Sequence, residues 1–323
     1  MAQIQESTVR AGSWLPPLVA RPPAWVSALI GSAPYAVTAL AHAALGDLRV
    51  ASADGVTHVS TSILRAAELS ASALEDAVFA AYHALAEALA HAGCHPVRFW
   101  NFIPGIHAAM GEDRDRYMVF NAGRFAAFAS WYGSPANFSR ALPTASAVGV
   151  REGPLVVHGL GFDTAGAPLE NPRQIPAYSY SRRYGPRPPC FARATIVQAP
   201  RAAEPAPPAQ PWLLVGGTAS ILGEDSIHVR DVHRQALETF DNLSRLVASA
   251  RPATRIENAS EDATRDLLAA FRELRVYIVR EEHADVLQGL VRERFSPAAR
   301  IEFAQADLCR QELLVEIEGL AVL

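Results

Sequence analysis

The sequence predicts an α+β fold of two similar lobes, each with helices on one face of a sheet. Three observations predict it. A block of the chain recurs, Ser62-Ile63-Leu64 returning as Ser220-Ile221-Leu222. Each copy runs through a polar stretch into a long segment with apolar residues at helical spacing. These are Val78, Phe79, Tyr82, Leu85 and Leu89 in the first copy, and Ala236, Leu237, Phe240, Leu243 and Val247 at the same offset in the second. Each helix then leads to a strand of the same outline, Arg98-Phe99-Trp100-Asn101-Phe102 and Arg275-Val276-Tyr277-Ile278-Val279. Each copy closes in a strand pair, 145–150 with 155–160 and 300–305 with 313–320. The order strand–helix–strand–helix–strand–strand is an α+β pattern.

Taken in order, residues 1–35 read as an N-terminal extension, 36–168 as the first lobe, 169–210 as a connecting segment and 211–323 as the second lobe. Ser72 and Glu75 have the spacing of a capping box for the first long helix. The connecting segment is Pro-rich, and its 203–211 part reads as a surface linker. Its earlier part, 171–187, is dense in Tyr and Arg: Tyr178, Tyr180, Arg182, Arg183, Tyr184 and Arg187. It is too polar for a core and too aromatic for a plain linker. Either it lines a site or it wraps over the sheet and packs its tyrosines.

Composition excludes several function classes. The 323 residues are 50% hydrophobic and 19% charged, as in a folded globular protein. A formal net charge of −4 gives no sign of nucleic-acid binding. No apolar run approaches the ~20 residues of a membrane span, and Met1–Arg10 lacks a signal-peptide apolar core. Cys94, Cys190 and Cys309 are odd in number and widely spaced, with no zinc pattern, so a reducing cytoplasm and no metal are expected. His228 and His233 are five apart, a spacing that does not share a helix face. All 29 basic residues are Arg. The absence of Lys excludes Schiff-base, pyridoxal-phosphate and Walker-A chemistry, and no cofactor is expected. An anionic substrate must then be held by Arg, His or backbone N–H groups, and the Arg fork suits carboxylates.

The stretch Cys309-Arg-Gln-Glu-Leu-Leu-Val-Glu-Ile-Glu-Gly319 is the most informative. As a strand it puts Leu313, Val315 and Ile317 on one face, and Glu312, Leu314, Glu316 and Glu318 on the other. A carboxylate in so apolar a strand is either wet at an edge or buried, and a buried carboxyl kept protonated is a general acid.

The second lobe resembles the YjgF/RidA family through Pro297-Ala298-Ala299-Arg300 and Val315-Glu316-Ile317-Glu318. That resemblance implies carboxylate binding by Arg300 and water activation by Glu316. The chain as a whole, from about residue 95 to its end, resembles the chorismatases, which are built on RidA-like lobes. The motifs are Arg98-Phe-Trp-Asn-Phe-Ile-Pro104, Arg116-Tyr117 leading to Asn121-Ala-Gly-Arg124, and Pro143-Thr-Ala-Ser-Ala-Val-Gly149. They continue in Asn171-Pro-Arg-Gln-Ile-Pro-Ala-Tyr178, Tyr184-Gly-Pro, Phe191-Ala-Arg193-Ala, Gly217-Thr-Ala-Ser-Ile221 and Cys309-Arg-x-x-Leu-Leu-Val-Glu316.

Chorismatases release pyruvate from chorismate. The resemblance implies that Glu316 protonates the methylene carbon of the enolpyruvyl ether. Cys309, seven residues earlier, stands where the 3-hydroxybenzoate-forming branch has a Cys. The alternative to a catalytic Cys309 is a small buried hydrophobe. The alternative products are 4-hydroxybenzoate and a dihydroxycyclohexadiene carboxylate. Alternative functions are a RidA-type imine deaminase and a non-catalytic binding protein. Arg124, Arg193, Arg300 and Arg310 are candidate anchors for the dianion, and one or two of them are expected to be structural. Gly217, Thr218 and Ala219 offer backbone N–H groups and a hydroxyl, or else form a tight strand start. Tyr178, Tyr180 and Tyr184 are candidates to cap the ring or orient water, with one of the three expected to do so. His158 occupies the position of Glu316 in the first copy, as a degenerate twin or a satisfied core histidine. Residues 309 and 316 have opposite strand parity, so a turn or bulge near Gln311 is required if both line one pocket. RidA proteins are trimers, and a duplicated chain supplies much of such an interface itself. The sequence leaves the oligomeric state open between a monomer and a trimer.

Overall fold

The computed structural model describes residues 15–200, 210–251 and 261–323. The expected linker at 203–211 therefore lies largely outside the described residues, as does the expected polar N-terminus at 1–10. The first half runs α1 (Ala24–Ile30), β1 (Ala36–Thr38), β2 (Leu48–Ala53), β3 (Val56–Ile63), α2 (Ala71–His91), β4 (His95–Pro104), α3 (Arg116–Tyr132), α4 (Phe138–Ala141), β5 (Thr144–Val150) and β6 (Leu155–Phe162). The second runs β7 (Ala167–Leu169), β8 (Ala194–Val197), β9 (Trp212–Thr218), β10 (Ile221–Leu222), β11 (Asp225–Ser226), α5 (Val232–Ala250), α6 (Glu261–Leu268), β12 (Phe271–Ile278), α7 (Ala284–Arg294), β13 (Arg300–Gln305) and β14 (Val315–Val322).

Two six-stranded mixed sheets result, in the orders β1-β2-β3-β6-β4-β5 and β13-β12-β14-β9-β8-β7. The duplication is visible in the pairing. β4 and β5 are parallel, as are β12 and β13, and each pair is joined by a helical crossover, which parallel neighbours need. β6 then returns antiparallel between β3 and β4, as β14 does between β9 and β12. β7 and β8, at and within the expected connecting segment, extend the second sheet.

The amphipathic helices form where the apolar spacing places them. α2 buries Leu74, Val78, Tyr82, Leu85 and Leu89, and α5 buries Ala236, Phe240, Leu243 and Val247, so the repeated stripe is buried in both lobes except at its edge, where Phe79 is exposed and Leu237 half-buried. The start of α2 differs from expectation. Ser70, not Ser72, is its N-cap, and the Ser70 hydroxyl accepts from the Ala73 N–H at 3.3 Å. Ser72 is already inside the helix, so the Ser72/Glu75 capping box does not form.

Each sheet buries its outer face under helices, and a third apolar cluster joins the two inner faces. That cluster includes Trp25 from α1, Trp100 and Phe102 from β4, and Tyr277 and Leu320 from the second sheet. The inner face of β14 is the one that carries Glu316 and Glu318, while Val315, Ile317 and Ala321 point outward to the helices. The strand is shorter than expected. Residues 309–312 form a bend and turn in which the Leu313 N–H donates to the Arg310 carbonyl at 3.2 Å. Among the described residues no helix is long and apolar enough to cross a membrane.

Candidate active site

The chemistry gathers where the inner face of β14 meets β5 and α3 of the first lobe. Glu316 is 4% exposed, and its carboxyl makes no hydrogen bond among the described residues. Gly217 on β9 lies against it. A Cβ at 217 would sit 2.0 Å from Glu316 Oε1, so only glycine lets the backbone pass so near the carboxyl. Burial pushes the Glu316 carboxyl up to about 8, and the negative charge of Glu318 adds to this, while Arg98 and Arg193 pull it down. The group therefore keeps its proton at neutral pH.

Glu318, two residues along the same face, has the opposite surroundings. Arg98 Nη2 donates to its Oε2 at 2.6 Å, and the Ser146 hydroxyl donates to the same oxygen. Trp100 Nε1 at 3.0 Å and the Tyr277 hydroxyl at 2.9 Å donate to its Oε1. Three of these four donors belong to the first lobe, so the carboxylate ties the lobes together. Ser146 also accepts from the Gly217 N–H at 2.8 Å, which fixes β9 against the same network.

A cavity of about 270 Å³ opens in front of Glu316. Of the residues singled out from the sequence it is lined by Glu316, Cys309, Gly217 and Ala219, by the arginines 124, 193 and 310, and by Tyr184. The turn at 309–312 supplies the required change of direction and brings Cys309 to the same cavity as Glu316. Burial, then the nearby Glu316 charge, pushes the Cys309 thiol up to about 12. It is a neutral thiol at physiological pH, able to relay or donate a proton but not poised as a thiolate nucleophile.

The arginines differ in what already holds them. Arg124 on α3 is fully buried, and only one nitrogen is satisfied, Nη2 donating to Asn121 Oδ1 at 2.8 Å. Its Nε and Nη1 have no hydrogen-bond partner. Arg193 donates to the Tyr180 hydroxyl and the Ile175 carbonyl, and its Nε is unpartnered. Neither forms a salt bridge among the described residues. A buried guanidinium with free N–H groups calls for an anion. Arg310 is more fully engaged. It donates to the Glu224 carbonyl and Ser226 Oγ, and Tyr184 stacks on it at 4.0 Å. Tyr180 and Tyr184, 5.0 Å apart, roof the cavity, so this part of the connecting segment lines it.

Three expected residues lie elsewhere. Arg300 is on the outer strand β13, 78% exposed, and paired with Glu273. Thr218 points away from the cavity, its hydroxyl donating to the Gly216 carbonyl at 3.0 Å, as alternation from Gly217 and Ala219 requires. Tyr178 packs edge-on against Phe138 in the first-lobe core. His158 is a satisfied core histidine, bonded to His58 and to the Ala20 carbonyl. Among the described residues no group of His, Cys, Asp or Glu could hold a metal ion.

Sequence reasoning passed over Glu318, Arg98, Ser146 and Tyr117. Glu318 shares the parity of Glu316, which was a readable signal. Arg98, Ser146 and Tyr117 lie inside motifs already quoted, but nothing local marks them as cavity or network residues.

Comparison with known proteins agrees with this geometry. Residues 35–161 match the family model "Chorismatase FkbO/Hyg5-like, N-terminal". The chain is 36% identical over 249 residues to a 3-hydroxybenzoate synthase of Streptomyces hygroscopicus, covering 76% of this chain and 69% of that protein. A chorismatase of the same organism is 31% identical over 69% of this chain and 60% of its own length. A crystal structure of a chorismatase superposes with a TM-score of 0.71 at 27% identity, over 85% of this chain and 77% of that one. Shared motifs, a shared two-sheet architecture and a relative this similar lead to one conclusion: the chain belongs to the chorismatase family of enzymes.

Proposed function

We propose that this protein converts chorismate to 3-hydroxybenzoate and pyruvate, with Glu316 as the general acid. The observation that carries the proposal is the pairing of a buried, protonated carboxyl with buried, unpartnered guanidinium groups in one ring-sized cavity. Chorismate is a dianion, and Arg124 and Arg193 are the groups free to meet its carboxylates. Glu316 delivers its proton to the methylene carbon of the enol ether, leaving an oxocarbenium ion. The ring hydroxyl then attacks the carbon from which the ether oxygen departs, and pyruvate leaves with that oxygen. The hydroxyl proton returns to the Glu316 carboxylate through Cys309. The oxygen then bridges two ring carbons; its original ring bond breaks, and the proton on the carbon that keeps it moves to the oxygen, which completes the aromatic product. No water is added, so the atoms of chorismate equal those of the two products.

Carbon protonation is slow in water. A held acid in a dry pocket answers this by proximity and by strengthened local electrostatics. The deaminase reading needs Arg300 as a carboxylate anchor, and Arg300 is outside the cavity. The test is to mix protein with chorismate and follow pyruvate with lactate dehydrogenase. Chromatography then separates 3-hydroxybenzoate, 4-hydroxybenzoate and the dihydrodiol. Absence of pyruvate at micromolar enzyme overturns the proposal, and the dihydrodiol as main product overturns its product assignment.

A further inference from the structure

The Glu318 cage is more elaborate than an interlobe tie requires. Glu318 is 1% exposed, takes two donors on each oxygen, three from the first sheet and one from its own, and lies on the same strand face as Glu316. A buried ion pair is weak evidence of stabilisation, because desolvation offsets much of its attraction. Well-packed apolar residues would join two sheets at least as firmly. The cage must therefore be explained by what its charge does to its neighbour.

We propose that Glu318 is a positioning residue for Glu316: its fixed carboxylate is the negative charge against which Glu316 keeps its proton. Arg98, Trp100, Ser146 and Tyr277 hold that charge in place. The inference rests on Glu316 being the acid, as proposed above, and adds how the acid is kept loaded.

The geometry separates the two members of the ion pair. Glu318 follows Glu316 by one pleat, so its carboxylate stands beside the acid. Arg98 approaches from β4 of the other sheet and grips Glu318 Oε2, on which the Ser146 hydroxyl also converges. Burial raises Glu316 first, the Glu318 charge adds to it, and Arg98 opposes it. Other groups also face Glu316. Arg193 precedes β8, and Arg124 and Tyr117 come from α3. Cys309, Arg310 and Glu312 come from the turn, and Tyr277 is its cross-strand neighbour. Arg193 pulls the proton off Glu316, as Arg98 does, and would prevail more readily without Glu318. The arrangement lets the cavity carry cations for an anionic substrate without discharging its acid.

The test compares wild type, Glu318→Gln and the double variant Arg98→Gln/Glu318→Gln. The readout is a substrate-free infrared titration of the protonated-carboxyl band that vanishes in Glu316→Gln. Glu318→Gln keeps shape but removes the anion, leaving Arg98 unopposed. Its Glu316 midpoint is expected to fall by about one pH unit or more, a tenfold loss of the protonated form above the midpoint. The double variant removes both charges and is expected to fall between the other two. It also provides a neutral, hydrogen-bonded pair should the single variant not fold. Equal midpoints in all the folded proteins overturn the proposal. With chorismate, the alkaline limb of kcat/KM should move by the same amount, with the acid plateau kept within about threefold. A uniform loss across pH with an unmoved limb indicates a structural role only and also overturns it. Because the titration needs no substrate, it stands apart from the chorismatase assay. A wild type without turnover sinks the proposed reaction and leaves the Glu318 measurement readable.

Discussion

β6 and β14 close the two lobes in the same way and end in opposite chemistry. His158 sits opposite Trp100 on β4, and Glu316 sits opposite Tyr277 on β12, in the same place in the repeated topology. Around His158 the space is sealed. Its Nε2 meets the Ala20 carbonyl at 3.1 Å, and its Nδ1 meets His58 Nε2 at 3.2 Å. The segment before α1 also ties to the second lobe. Arg275 donates to the Arg21 and Pro22 carbonyls, and the Ala24 N–H donates to Glu302. Among the described residues nothing hydrogen-bonds the Glu316 carboxyl, and a cavity remains in front of it. One repeat position became packing and the other kept free space and an unpaired acid. The backbone before α1 packs against the first-lobe position through the Ala20 carbonyl, while the second-lobe position faces a cavity.

The pH behaviour of the two positions should be opposite. Burial lowers His58 to about 3 and His158 to about 4, so the folded state binds fewer protons than the unfolded state below about 6.5. The sealed position therefore loses stability as pH falls from about 6.5 toward those values. Glu316 is raised to about 8 from an ordinary 4.5, so the folded state binds more protons across that window. The open position loses stability as pH rises through it.

The sharpest break in this symmetry is Glu316→Gln. Pyruvate release should fall by about 10³-fold or more in the lactate dehydrogenase assay, with the circular dichroism spectrum unchanged. In urea unfolding at pH 8 the same variant should be more stable than wild type, by about 4 kcal/mol, and the difference should nearly vanish by pH 4.5. Retained turnover removes Glu316 from the chemistry.

Trp25→Ala tests the sealed side. Trp25 is 7% exposed and packs edge-on against Trp100 at 5.9 Å. Its loss should cost about 3 kcal/mol in urea unfolding and leave kcat within about threefold. A fall in kcat as large as that of Glu316→Gln would mean that the two positions are not independent.

Cys309→Ala should leave pyruvate release within about tenfold while shifting products toward the dihydrodiol, read by chromatography. An unchanged product profile removes Cys309 from the product choice. The smallest effect is expected from Arg300→Ala. Arg300 is exposed but its partner Glu273 is buried, so stability should fall by about 1 kcal/mol, with KM for chorismate unchanged. A raised KM would return Arg300 to the site.

Much of the fold was legible because periodicity is local. The stripes of α2 and α5 sit where their spacing placed them, and the two strands closing each lobe begin within two residues of expectation, but they do not pair with each other: β4 stands between β5 and β6, and β12 between β13 and β14. The α2 start was misread because Ser70 and Ser72 offer the same hydroxyl, and only backbone geometry chooses between them. The site was half legible. Cys309, Glu316 and Arg193 came from motifs and converge on the cavity. Arg300 was carried by a resemblance to the second lobe alone, which cannot register that the facing lobe covers β14 and leaves β13 outside.

The sequence by itself determined the α+β class, the duplication, the lack of Lys and the presence of two carboxylates on one strand face. These follow from residue type and short-range spacing. Tertiary structure decided which of the two carboxylates is paired and which keeps a proton. Glu316 and Glu318 differ by two positions on the same face, and nothing local distinguishes them. The distinction comes from Arg98, Trp100 and Ser146, which reach Glu318 across the lobe interface, and from the cavity that leaves Glu316 without a partner. Protonation is set by solvation and by neighbouring charge, and both belong to the assembled interface rather than to the strand.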